Sequence, residues 1–179
     1  MKFSVTPYEL PLLVPFTTAN ATVARRRGLL VALADGKHIG YGEVAPLPGW
    51  TPIDADQAST ILRRAIAAVE AGRDLDDVLD ELEASPEVRA GLSGAAADFA
   101  ARRQGLPLAR FLDPDSSETV AVNAVVGSGS PQHAADAGLD AIQRGFSVIK
   151  MKVGVAAPEV DIERVATMRS AVGSLVELR

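Results

Sequence analysis

The sequence predicts two architectures in succession: an α+β part over residues 1–113 and the opening of an α/β part over 114–179. Three observations carry this. Short alternating stretches joined by a tight turn dominate the first fifty residues, as in an antiparallel meander. Helical periodicity then takes over for some fifty residues. Beyond the polar connector DPDSSE, strand-like and helix-like segments alternate at the spacing of parallel βαβ units.

The elements follow in order. KFSVTPYEL, GLLVALAD and HIGYGEVA read as three strands, with Asp35-Gly36 as the hairpin turn between the last two. LPLLVPFTTANATVARRR, between the first two, is expected to be loop, because Pro11 and Pro15 break it and it ends in small polar residues. PLPGWT (46–51) is a second loop. DADQASTILRRAIAAVEAG follows as a helix, with Asp54 as N-cap and Gly72 at its end. LDDVLDELEA is a shorter amphipathic piece. Ser85-Pro86-Glu87 opens a long Ala- and Gly-rich helix that stops at Gly105 and should approach a neighbour closely. In the second part TVAVNAVV is a strand, PQHAADAGLDAIQR a helix, FSVIKMK a strand, PEVDIERVATMRSAV a helix, and SLVELR the start of another strand.

Composition narrows the function. Apolar residues at 47% and charged residues at 23% describe a globular chain with a core, rather than a disordered one. A net charge of −5 leaves no basic face to neutralise phosphates, so no nucleic-acid partner is expected; Arg25–Arg27 is too short a run to change that. Cysteine is absent, which excludes disulfides and thiolate metal sites and suggests a reducing compartment. No apolar run approaches a membrane span, and MKFSVTPYEL contains Glu9 and is no secretory leader. A soluble, cytoplasmic protein without a membrane partner is expected.

The chemistry-bearing stretch is SVIKMKVG (147–154), where Lys150 and Lys152 fall on the same strand face. Same-face neighbours on a strand lie about 7 Å apart. At an effective dielectric of about 20, two positive charges at that distance repel by roughly 2.4 kcal/mol. Two readings are open. The lysines are solvated guards of an edge strand, or their repulsion and partial burial serve a general base near neutral pH. Ile149, Met151 and Val153 make the other face apolar, which suits either.

Four stretches in order resemble the enolase superfamily. The K-x-K stands at the end of the second α/β strand. GYGEVAPLPGWT (40–51) is very similar to the G-x-GE-x-x-PLPG-[FW]-[ST] segment of the o-succinylbenzoate synthase family. ADFAARRQGLPLARFL (97–112) resembles the superfamily's D-hydrophobic-x-x-[RK]-x-x-G-x-PL-x-x-L helix end, and VAVNAVVG its first barrel strand. The resemblance implies an enolase-like capping domain over 1–113 and, over 114–179, the first β/α units of a (β/α)7β modified TIM barrel, with an active site at the C-terminal strand ends. It implies Lys152 as the base that takes a proton α to a carboxylate, with Lys150 as its electrostatic support. It also implies a Mg²⁺ cofactor, a small-molecule carboxylate substrate, and a dehydration in menaquinone biosynthesis. Dipeptide epimerases and muconate cycloisomerases share the proton abstraction and remain alternatives.

By the same resemblance, two cap loops near 17–22 and 46–51 reach over the barrel mouth, which makes Thr18, Gly49 and Trp50 candidate substrate-binding residues. For Trp50, packing against the cap is the competing reading. The family's three acidic Mg²⁺ ligands lie on the third, fourth and fifth barrel strands and a further lysine on the sixth, beyond SLVELR, so no metal ligand is expected among these residues. The chain is expected to be cut off in mid-fold and inactive alone. Self-association through the incomplete barrel, or structure confined to residues 1 to about 112, is the corresponding expectation, with a non-catalytic interaction module as the alternative function. Glu43, Asp98, His38 and His133 read as structural or surface residues, and VGSGS (126–130) as a strand-to-helix connector that lacks phosphate-loop spacing.

Overall fold

The computed structural model describes residues 2–17 and 22–179. The chain divides into two compact units, one of Met1–Phe16 with Val23–Ser117 and a second dominated by Glu118–Arg179.

The first unit is a three-stranded meander covered by helices. Its strands β1 (Lys2–Thr17), β2 (Thr22–Ala34) and β3 (Ile39–Val44) lie in the order β1-β2-β3. β2 and β3 pair antiparallel from Leu29↔Val44 to Ala34↔Ile39. Asp35 makes the turn between them: its carboxylate accepts from the backbone N–H of Lys37 (3.0 Å) and His38 (2.8 Å), and Gly36 takes a positive φ.

The expected loop over residues 10–27 is corrected here. Both flanks are strand, running through Pro11 and Pro15 to Thr17 and resuming at Thr22. β1 lies at the end of the sheet order, and a strand with one neighbour has an outward side on which proline's missing N–H costs no ladder bond. Sequence punctuation by proline overstated the break.

Helix α1 (Ala55–Glu70) begins at Asp54, whose carboxylate accepts from the Asp56 and Gln57 amides while Gln57 caps in return. Its buried stripe of Ala58, Leu62, Ala65 and Ile66 joins Leu29, Val31, Leu33 and Val44 of the sheet in one core. Helix α2 (Leu75–Glu81) adds Val78 and Leu79. Helix α3 (Pro86–Arg103) lies on β3 at backbone distance. A Cβ on Gly42 would overlap the Gly91 carbonyl and stand 2.6 Å from the Ala95 nitrogen, and one on Gly40 would stand 2.5 Å from the Ala95 oxygen. The alternating glycines of GYGE thus admit the helix. A short helix, α4 (Leu108–Leu112), closes the unit after Gly105.

The second unit is parallel. β4 (Ala124–Val126), β5 (Val148–Met151) and β6 (Glu177–Leu178) are ordered β4-β5-β6, joined by helices α5 (Pro131–Gln143) and α6 (Pro158–Val172). β4 is shorter than the expected TVAVNAVV, because its ladder extends only as far as its partner, Ala124↔Ile149 to Val126↔Met151. Val126, Ile149 and Met151 on one sheet face, with Ala134, Ala141, Met168 and Val172 of the helices, form its core. The meander with helices followed by parallel β/α units is the expected fold class. Among the described residues, no helix is long and apolar enough to cross a membrane.

Candidate active site

Lys150 and Lys152 share the sheet face opposite the helices. Ile149 and Met151 alternate with them and are buried against α5 and α6, whereas Lys150 is exposed and Lys152 half-buried. Lys150 stands level with Val125 of β4. Lys152 lies one residue past β5, at the C-terminal end of the parallel sheet, yet its backbone is held on both sides. Its N–H donates to the Val126 carbonyl (2.9 Å), and its carbonyl accepts from Arg164 of α6 (2.9 Å).

Arg164 is the largest fully buried side chain among the described residues, with 1% exposure. Its guanidinium donates to Asp161 Oδ1 (2.7 Å), to the Lys152 carbonyl, and to the Gly127 carbonyl at the end of β4 (2.6 Å). Asp161 Oδ2 in turn accepts from the Gly154 N–H (2.7 Å). That amide, and next the guanidinium, hold the Asp161 carboxyl below the usual carboxylate range. Sequence reasoning missed this pair. Asp161 and Arg164 are three residues apart on a helix, a spacing that reads as an ordinary surface ion pair.

In the first unit Gly49 and Trp50 lie in one built loop. Gly49 takes φ +81, the Trp50 and Thr51 amides donate to the Leu47 carbonyl (3.0 Å each), and the Thr51 hydroxyl bonds Leu47 and Ile53. Arg26 anchors the loop's root by donating to the Ala45 and Pro46 carbonyls. Trp50 is 69% exposed, so packing within the unit does not account for it. Thr18 lies outside the described residues.

The remaining candidates have local partners. Glu43 accepts from the Tyr8 hydroxyl; burial first, and then this bond, push the Tyr8 hydroxyl up to about 12. Asp98 accepts from Arg102 within its helix (3.0 Å) and also from the Tyr41 amide of β3 (2.8 Å), so it fixes α3 to the sheet as well. His38 sits beside Asp35 (3.6 Å), and the His133 amide donates to Ser130 Oγ at the start of α5. Among the described residues no three His, Asp or Glu side chains converge to hold a metal ion. The described residues alone thus supply no set of carboxylates that fits a magnesium ion.

A meander-and-helix unit followed in the chain by parallel β/α units is found in known proteins. The family profile described as MenC, N-terminal domain matches residues 2–99, more than half of the chain, and the chain belongs to that family, the N-terminal capping domain of the enolase superfamily. It is 28% identical over 178 residues to the L-Ala-D/L-Glu epimerase of Bacillus subtilis, covering 95% of this chain and 48% of that protein. It is 34% identical over 155 residues to the o-succinylbenzoate synthase of Thermosynechococcus vestitus, covering 85% and 42%. The dipeptide epimerase of Enterococcus faecalis V583, solved with Mg and the dipeptide L-Leu-L-Tyr, superposes with a TM-score of 0.88 over 99% of this chain and 52% of its own, at 24% identity, which is a likeness of fold. The chain spans about half the length of the curated relatives it matches.

Proposed function

We propose that the protein carrying this chain is an o-succinylbenzoate synthase-like lyase, in which residues 1–113 cap a barrel begun by 114–179 and Lys152 removes the proton α to a substrate carboxylate. The observation that supports this most is the position of Lys152: at the C-terminal end of a parallel strand, beside Lys150 on the face opposite the helices, with its own backbone fixed on both sides.

In this reading Lys152 Nζ accepts the α-proton as the C–H bond breaks. The electron pair moves into the carboxylate to give an ene-diolate, whose added negative charge is opposed by the field of the Lys150 ammonium. The β-hydroxyl then leaves with the electron pair of its C–O bond, takes the proton back from Lys152, and departs as water. Thr18, Gly49 and Trp50 set which carboxylate enters.

The MenC N-terminal family match and the 34% identity to a synthase favour dehydration. The 28% identity to an epimerase that spans 95% of this chain favours a second reading, dipeptide epimerisation, in which the proton is replaced on the opposite face of the carbon and no bond to oxygen breaks. Chemistry on one scaffold changes with its loops. Assaying the full-length gene product for dehydration, dipeptide epimerisation and muconate cycloisomerisation separates them. The expected result is o-succinylbenzoate formation; efficient epimerisation without dehydration would replace the first reading by the second.

A further inference from the structure

Arg164 is buried in a place where stability alone would favour an apolar side chain. A guanidinium with 1% exposure is costly to desolvate, and the cost is not fully repaid here, since among the described residues Arg164 Nε is buried without a partner. What the charge obtains is three bonds to three different segments: Asp161 on its own helix, the carbonyl of Gly127 just past β4, and the carbonyl of Lys152 just past β5. Asp161 completes the device by holding the Gly154 amide two residues after Lys152.

The consequence falls on Lys152. The strand ladder supplies only the bond to its N–H; its carbonyl, beyond the last ladder residue, is fixed by Arg164. With both backbone groups held, the direction of its Cα–Cβ bond is set, and so is the region its ammonium can sweep. The planar fork of arginine suits this task because one rigid group spans two carbonyls and a carboxylate, which a lysine cannot do.

We propose that Arg164, oriented by Asp161, is a positioning residue for the general base: it sets the backbone of Lys152 and the spacing between the C-terminal ends of β4 and β5. The proposal rests on the reading of Lys152 as the base. Its test uses the full-length gene product and the substrate that the wild type turns over, with folded sites counted by calorimetric titration with the corresponding product. Turnover per folded site removes any effect of a smaller folded fraction, which is all that a purely structural role predicts.

Arg164→Met should lower kcat per folded site on the order of 10²-fold, the scale of loss from a misplaced reacting group, while KM stays close to wild type. Arg164→Lys, which keeps the charge but not the fork, should fall between the two. Folded Arg164→Met enzyme with wild-type kcat per site overturns the proposal. So does failure of both variants to give any folded site, since Arg164 is then a folding residue only. Where Arg164→Met alone fails to fold, Arg164→Lys decides by the same criterion. Lys152→Ala serves as the reference: if it retains turnover, the reading of Lys152 is wrong, and if it loses turnover while the Arg164 variants do not, only the positioning role is wrong.

Discussion

At the scale of single residues, the two lysines differ in what holds them. Lys150 lies inside β5 and is exposed, whereas Lys152 stands past the strand end, half-buried and tied by its backbone. In the full-length protein Lys152→Ala should therefore lower turnover by about 10²–10⁴-fold or more, the usual contribution of a positioned acid or base. Lys150→Ala should cost less, because a field weakened by one charge still leaves the proton acceptor. Steady-state kinetics of the two variants checks the order, and equal losses would contradict it. A second residue-scale prediction concerns Asp35. The His38 amide and then the Lys37 amide hold its carboxyl down at about 2, below the ordinary 3.8. A depressed carboxyl contributes stability that is complete above its ordinary value and lost as pH falls through about 2. Carboxyl NMR should find its midpoint near 2, and a midpoint near 4 would mean the turn is not formed as described. Residue identities made both groups legible in the sequence: K-x-K fixes a shared face, and Asp-Gly a hairpin. Arg164 was illegible, because burial of a charge three residues from its partner depends on which helix face meets the sheet, and α6 has no strong apolar stripe to announce that face.

At the scale of elements, the helices were legible from their caps and periodicity. Asp54 and Gln57 begin α1, Ser130 begins α5, and positive-φ glycines follow α1, α3 and α5. Strand limits were not, because a strand ends where its partner does. Thus β1 and β2 outrun the punctuation at Pro11 and Pro15, while β4 stops short of the apolar run that suggested it. Close helix-on-sheet packing gives the sharpest element-scale prediction. Gly42→Ala forces a Cβ against the backbone of Gly91 and Ala95, neither of which can yield, and should destabilise by about 1–3 kcal/mol or more. Gly94→Ala meets only the Gly42 Cα at 3.7 Å, ordinary contact, and should gain up to about 1 kcal/mol from helix propensity. Denaturant melts of the pair should move in opposite directions. A neutral Gly42→Ala would contradict the proximity of α3 to β3.

At the scale of the molecule, each unit has its own core. Leu62, Leu92 and Val31 belong to one, and Ile149 and Met168 to the other, and among the described residues each cluster is built from its own unit. A fragment ending at residue 117 should therefore unfold cooperatively by itself, as seen by circular dichroism and calorimetry; a broad, non-cooperative melt would show that its core is incomplete. The proposal to be tested is that the β/α unit serves abstraction of a proton α to a carboxylate by Lys152. The most direct test is the fate of deuterium placed at the substrate's α-carbon during turnover by the full-length gene product, followed by NMR or mass spectrometry for the wild type and Lys152→Ala. Loss of the label with the wild type and its retention with a folded Lys152→Ala variant are predicted. Undiminished loss of the label with Lys152→Ala would contradict the assignment of the base.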